Sequence, residues 1–382
     1  MRGELFPLVH GVRHWTDTET DLCKRLEAHL VRRRAARMSK LLELQGPPAP
    51  VEEQLCLPFG DPEFDHGEEP PQRPAAAADV QLTWHEKGRV RTRARAILAA
   101  RAAKGGLAHL KEVDRQLIMP RLPGVRLGGP QTEHAADELA SALADEFPWM
   151  REAVAHIWRG AQRSARDGLG LGFGPVLLDG PPGIGKTHLA RRLAELAGVP
   201  LVTIDLGAGS EGFRVAGVTR GWASAAPGRP VEEILASGCG NPLVIIDELD
   251  KGGHAQGGDG YKTSAWNALL GLLEPGSARR WECPYYRLRF DLSRVCWILT
   301  ANDTRWLPAP LLSRMRIVPL QRPSRGDLIG VVLREGERRG VDADSLELLA
   351  ERIRRSRGEL TLRHVMRALE ELRTAEERGC LH

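Results

Sequence analysis

The chain is short of several things that would narrow its class. It has six cysteines in 382 residues, Cys23, Cys56, Cys239, Cys283, Cys296 and Cys380, and no two of them stand at Cys-x-x-Cys spacing. Zinc knuckles and thioredoxin-type redox motifs are therefore absent, and reduced thiols fit a cytoplasmic setting. No run of 18 apolar residues occurs, which excludes a transmembrane helix. The opening stretch, MRGELFPLVHGVRHW, has neither an apolar centre nor a small-residue cleavage site, so no signal peptide is expected. Aromatic residues are only 5%, yet nine of them are tryptophan. Lysine is scarce, with eight among 54 basic residues, a bias that reflects genomic composition more than chemistry. The formal charge of +4 is too mild to argue for nucleic acid as a partner. No internal repeat is present.

What remains is a soluble chain of ordinary composition, 42% hydrophobic and 27% charged, long enough for two or three domains. Residues 17–45 carry helical spacing through Leu22, Leu26 and Leu30, then Met38, Leu41 and Leu42. Residues 46–80 are rich in proline and acid, lack periodicity, and read as a disordered linker. A basic helix is expected over 88–104, and two more over 133–160 around a Phe147-Pro148-Trp149 break. From Gly174 the pattern alternates between β runs and helices, the mark of an α/β parallel sheet. The runs are Val176–Asp179, Leu201–Ile204, Leu243–Asp247, Val295–Thr300 and Arg316–Leu320. After Pro323 only helices are expected, over 325–339, 344–356 and 361–378, with Ser324 and Thr361 as N-caps.

Gly180-Pro181-Pro182-Gly183-Ile184-Gly185-Lys186-Thr187, followed by His188, fits the phosphate-binding pattern G-x-x-x-x-G-K-[ST]. A buried strand precedes it, and a helix with Leu189, Leu193 and Leu196 on one face follows, stopping at Gly198. Glycines let backbone N–H groups wrap a polyphosphate, and the helix N-terminus adds the positive end of its dipole. Lys186 would reach the β- and γ-phosphates of ATP, and Thr187 would ligate Mg²⁺. Sixty-one residues after that lysine, Leu243-Val244-Ile245-Ile246 ends in Asp247-Glu248. Acids at the carboxyl edge of a parallel sheet sit where ligands bind. Asp247 would hold Mg²⁺ through water, and Glu248 would act as general base on the attacking water.

With these motifs in place, residues 145–378 resemble the AAA+ ATPase module of Lon proteases. The resemblance rests on Asp247-Glu248-Leu249-Asp250-Lys251, Pro227-Gly228, Phe290-Asp291-Leu292-Ser293, Thr300-Ala301-Asn302 and Leu311-Leu312-Ser313-Arg314-Met315, in that family's order and spacing. It implies a P-loop NTPase core over 146–322 and a small α-helical lid domain over 323–382. An N-terminal helical and disordered extension would precede them: a helical arm over 1–45, the linker over 46–80 and a helical region over 81–145. It also implies roles. Asn302 is the sensor that hydrogen-bonds the attacking water. Arg314 is an arginine finger acting in trans on a neighbouring subunit, with Arg316 as its competitor. Arg363 is the lid's nucleotide sensor, although Thr361-Leu362-Arg363 departs from the family's Gly-x-Arg. Trp222 stands where the family has an aromatic pore residue, usually Tyr, and 252–260 matches a second, glycine-rich pore loop.

The resemblance thus implies a Mg²⁺-dependent ATP hydrolase that assembles with itself into a ring, six subunits in the family. It would remodel or thread protein substrates in a bacterial cytoplasm, with no membrane partner. The family's peptidase domain has no counterpart in these 382 residues, so no peptidase activity is expected. Two other readings stand beside the threading motor. One is a nucleic-acid motor or loader, suggested by the basic stretches 28–40 and 89–104 but not favoured over a solvated charged face. The other is a regulatory assembly ATPase tethered to a partner by its N-terminal arm.

Overall fold

Short aliphatic runs build the strands. The computed structural model describes residues 5–12, 17–44, 82–207, 212–222, 225–252 and 265–379. The linker expected over 46–80 and residues 253–260 of the glycine-rich loop lie outside the described residues. The chain divides into two units, Met1–Val12 with Leu110–His382, and Arg13–His109.

In the larger unit the strands are β1 (Val9–His10), β2 (Val176–Asp179), β3 (Leu201–Asp205), β4 (Leu243–Asp247), β5 (Trp281–Cys283), β6 (Leu288–Phe290), β7 (Cys296–Ala301) and β8 (Arg316–Pro319). Five of them form one parallel sheet in the order β3-β4-β7-β2-β8. β4 is apolar throughout and fully buried before Asp247, as a strand covered on both faces must be. Pairing sets Asp179 opposite Ala301 and Asp205 opposite Asp247. All the carboxyl ends therefore meet at one edge of the sheet, where β2 is flanked by β7 and β8.

Helices Glu133–Glu146, Arg151–Arg166 and Lys186–Ala197 bury Leu143, Ile157, Leu189 and Leu193 against Val176, Leu178, Ile245 and Ile298 in one core. Gly198 ends the last of these helices in the left-handed conformation expected of a glycine stop. β1, β6 and β5 form a small antiparallel sheet beside it. Three helices, Arg325–Arg338, Ala343–Arg355 and Leu362–Gly379, build a second core from Leu328, Val332, Leu346, Val365 and Leu369. Trp149 packs against both cores. Ser324 closes a capping box with Asp327. Thr361 and His364 bond reciprocally at the start of the last helix, Thr361 N–H to His364 Nδ1 at 3.2 Å and His364 N–H to Thr361 Oγ1 at 3.4 Å. The fold is the α/β parallel sheet that the alternation of strands and helices implies, with the P-loop of the Gly180–Thr187 motif and the helical part expected after Pro323.

In the smaller unit, helices Glu19–Leu44 and Trp84–Lys104 lie along one another. Asp17 pairs with Arg25 and Arg101, Glu19 with Arg95, and Arg34 with Glu86. Solvent-accessible pairs of this kind contribute about 0–1 kcal/mol each, so they set register more than stability. Among the described residues, no helix is long and apolar enough to cross a membrane, and no cluster of three or more metal-ligating side chains occurs.

Candidate nucleotide site

The turn between β2 and its helix can form only with glycine at two positions. Gly183 and Gly185 hold φ of +78° and +94°, where an L side chain is strained. A Cβ on Gly185 would also lie 2.9 Å from Leu362 Cδ1. The turn is braced from outside by Trp149, whose Nε1–H donates to the Ile184 carbonyl at 3.0 Å. Lys186 opens the helix and is buried. Its Nζ donates to the carbonyls of Gly180 and Ala301 (2.9 Å for the latter) and to Asn302 Oδ1 at 2.8 Å. All of these acceptors are neutral. Burial holds the Lys186 ammonium below its ordinary pKa, partly offset by Asp247, Asp250, Asp179 and Glu248. A buried cation with carbonyl partners and no carboxylate within ion-pair reach among the described residues suits a polyphosphate.

Thr187 Oγ1 donates to Asp247 Oδ2 at 2.8 Å. Thr300 Oγ1 donates to Asp247 Oδ1 and accepts the Glu248 backbone N–H at 3.2 Å. A hydroxyl beside a carboxylate is the hard-oxygen pair that Mg²⁺ takes while keeping several waters, so these residues fit the ion. Glu248 holds φ of +56°, one of two non-glycine residues at positive φ among those described. A non-glycine residue held there stores backbone strain. Glu248 Oε2 pairs with Lys251 Nζ at 2.6 Å, and hydrogen bonding to Glu248 raises the Lys251 pKa. Gly207 makes room for this carboxylate, since a Cβ there would fall 1.9 Å from Glu248 Oε2.

These groups face a cavity of about 420 Å³, within the range of nucleotide-sized sites. Pro182, Gly183, Gly185, Lys186, Thr187 and His188 line one side of it, with Asp247, Glu248, Thr300 and Asn302 at the sheet edge. Gly180, Pro181 and Ile184 do not line it. The first two offer carbonyls to Lys186, and Ile184 is buried in the core. Phe147, Trp149, Val331, Leu362 and Met366 supply apolar walls, and Arg363 reaches it from the last helix.

Three residues singled out from the sequence stand elsewhere. Arg314 donates Nη1–H to the Pro310 carbonyl at 2.6 Å and lies 3.5 Å from Glu274, while Arg316 Nη2 reaches Glu152 Oε1 at 2.8 Å. Neither arginine lines the cavity of its own chain. Trp222 does not line it either and is 59% exposed, on a loop whose stem is closed by Val218 N–H to the Ala226 carbonyl at 2.8 Å.

Several site residues escaped sequence reasoning. Thr300 stood inside a recognised motif, yet its bridge between Asp247 and Glu248 depends on β7 lying beside β4. Arg334, Glu335, Val331 and Met366 enter the cavity from helix faces whose partner a sequence does not reveal. Glu146 joins three elements. Its carboxylate accepts from Arg192 at 2.9 and 3.1 Å and from Arg338 at 3.2 Å, and its carbonyl accepts from Arg334 at 2.9 Å.

Residues 176–321 match the family described as "ATPase family associated with various cellular activities (AAA)". That stretch resembles an AAA ATPase domain. The chain is similar to a segment of Lon proteases. It is 34% identical to the Lon protease of Salinispora arenicola over 207 residues, 53% of this chain and 26% of that protein. It is 35% identical to the Lon protease of Koribacter versatilis over 188 residues, 48% of this chain and 22% of that protein. The chain therefore spans about a quarter of the length of these curated relatives. A solved structure of Hsp104 in a closed state with ATPγS and FITC casein overlaps 73% of this chain and 50% of that one, with a TM-score of 0.49 and 17% identity.

Proposed function

We propose that the chain is a Mg²⁺-dependent ATP hydrolase working as a self-assembled ring, in the manner of the Lon motor, and that it remodels or threads protein. The observation that supports this best is the meeting of Lys186, Thr187, Asp247, Glu248 and Asn302 at one cavity edge. When bound there, Mg²⁺·ATP supplies the phosphoanhydride bond whose hydrolysis drives the motor. Lys186 Nζ holds phosphate oxygens in exchange for the Gly180 and Ala301 carbonyls while keeping Asn302 Oδ1. Thr187 Oγ1 and Asp247 hold the ion. Glu248 takes a proton from water at Oε1, the oxygen not engaged by Lys251. Asn302 Oδ1 is occupied by Lys186, which leaves its Nδ2–H₂ to orient that water.

Phe147, Val331 and Met366 give the purine its apolar walls. Arg363 reads nucleotide state from the helical side. Arg314 completes the site of a neighbouring copy, where an arginine in this role contributes about 10³–10⁵ in rate. Trp222 grips an extended polypeptide by non-specific burial of its indole. A ring of six and a bacterial cytoplasm complete the reading, which assigns no peptide-bond hydrolysis to these residues.

The test is Glu248→Gln. ATP affinity is expected to hold within a few-fold while phosphate release falls at least about 100-fold, the pattern of a group needed only in the transition state. Turnover that persists would overturn the assignment. The same variant loaded with ATP serves as bait. Retained polypeptide supports a protein motor, whereas retained nucleic acid that washes off steeply with salt would replace it with a nucleic-acid motor.

A further inference from the structure

The loop that carries Trp222 is fastened at its base by a side chain with no assigned role. Arg220, two residues before the indole, is mostly buried although Trp222 is exposed. Its Nη2 donates to Asp114 Oδ2. Asp114 is 7% exposed and belongs to the helix Glu112–Ile118, more than a hundred residues away in sequence. The same guanidinium lies 4.6 Å from the centre of the Tyr285 ring, at the turn between β5 and β6. Three segments distant in sequence therefore meet on one planar cation.

Each partner is itself anchored. Arg121, just past the Asp114 helix, donates Nε–H and Nη2–H to the Leu235 and Ala236 carbonyls at 3.0 Å each, closing the end of helix Arg229–Ser237. Tyr285 packs edge-to-face on the buried Tyr286, their centres 4.9 Å apart. The stem of the loop is pinned too, because Gly217 at φ of +87° approaches Gly228 too closely to carry a side chain.

We propose that Arg220 is a positioning residue for Trp222, clamping the loop stem between the Asp114 carboxylate and the Tyr285 ring so that the indole is presented in one place. The inference rests on the reading of Trp222 as the polypeptide contact. Arginine suits the task because its fork pairs with the carboxylate while its face stacks on the ring. Lysine keeps the charge and loses both geometries. A fixed stem lowers the ordering cost of each grip, so its loss weakens binding even where the indole is intact.

The test uses the full-length chain, a non-hydrolysable ATP analogue, and fluorescein-labelled, reduced and carboxymethylated α-lactalbumin as an unfolded probe, followed by anisotropy. Arg220→Met is expected to weaken probe binding about five- to tenfold, and Arg220→Lys about two- to threefold, by loss of preorganisation. Binding of the analogue by the Arg220 variants checks that the core is folded. Trp222→Ala is expected to weaken the probe by at least about tenfold, and Trp222→Ala/Arg220→Met by no more than about twofold beyond that, since the two act as one unit. Additive losses would mean that Arg220 acts apart from Trp222 and would overturn the inference. So would probe binding that Arg220→Met leaves unchanged while Trp222→Ala weakens it. If Trp222→Ala itself changes nothing, the reading of Trp222 as the contact fails, and the inference built on it fails with it. If Arg220→Met also abolishes analogue binding, Arg220→Lys decides: a loss of two- to threefold with the analogue still bound supports the clamp, and none refutes it.

Discussion

Two kinds of element close around the cavity, and they hold their side chains differently. Asp247, Thr300 and Asn302 stand at the carboxyl ends of strands or directly after one, and Lys186 opens the helix that follows the β2 turn. The register of β2, β7 and β4 fixes their backbones, and their polar heads bond to one another. Val331, Arg334, Arg363 and Met366 come from the C-terminal helices. Those helices meet the sheet side through a few contacts: Arg334 and Arg338 on Glu146, Trp149 in both cores, and Thr361 and Leu362 against Gly183 and Gly185. The contrast separates two duties. On the proposed function, the groups assigned to the reacting atoms sit on elements with little freedom, and those assigned to the nucleotide's shape sit across a narrow joint.

Thr300→Val tests the rigid half and carries the larger effect. Valine keeps the volume and removes the hydroxyl, so Asp247 Oδ1 loses a donor and the Glu248 N–H loses its acceptor. A buried polar group left unpaired costs about 1–3 kcal/mol. The expected result is a fall in kcat of about 10- to 100-fold with KM for ATP little changed, measured by steady-state phosphate release. Glu146→Gln tests the joint. It removes the anion shared by Arg192 and Arg338 while leaving the Arg334 bond to the backbone intact. Both arginines are partly solvated, so the loss is set well below that of a fully buried pair, at about 1–2 kcal/mol of stability. The expected kinetic change is a rise in KM of about three- to tenfold, with kcat within about twofold. A drop in kcat as large as that of Thr300→Val would erase the distinction between the halves.

The same contrast explains what could be read from the sequence. The phosphate turn and the Asp247-Glu248 strand end were legible because each is local: glycines where φ must be positive, and four aliphatics before two acids. β7 was legible with a shift of one residue. Val295 N–H bonds back to the Leu292 carbonyl, closing a turn, so pairing starts at Cys296 and runs on to Ala301 opposite Asp179. The N-caps were legible because Ser324 and Asp327 interact three residues apart. β1 was not, because two residues have no periodicity and the strand exists only through Phe290 and Arg289 across the sheet. The helical wall of the cavity was hidden for a related reason. Periodicity marks the apolar face of a helix but not which partner it meets, so it does not assign Val331 and Met366 to the cavity.

The smallest effect lies at the rim of the strand-borne half. Asp303 directly follows Asn302 and accepts from its near neighbour Arg305, from Nε at 2.9 and 3.0 Å, from Nη2 at 2.6 Å and from the backbone N–H at 3.0 Å. These hydrogen bonds hold the Asp303 carboxyl down at about 2, against an ordinary value of 3.8. The sign follows from linkage. A carboxylate whose folded pKa is depressed contributes stability above its unfolded value, and that contribution fades as pH falls through the folded one. Asp303→Asn should therefore melt slightly below the parent at neutral pH, with the gap closing between pH 3.8 and about 2. The pair is open to solvent, so added salt should shrink the gap as well. A gap independent of pH would assign the loop's shape to Asn302 and the strand behind it, extending the rigid half outward by several residues. A gap that closes on schedule would end that half at Asn302 and make the following turn a separate, locally stapled element.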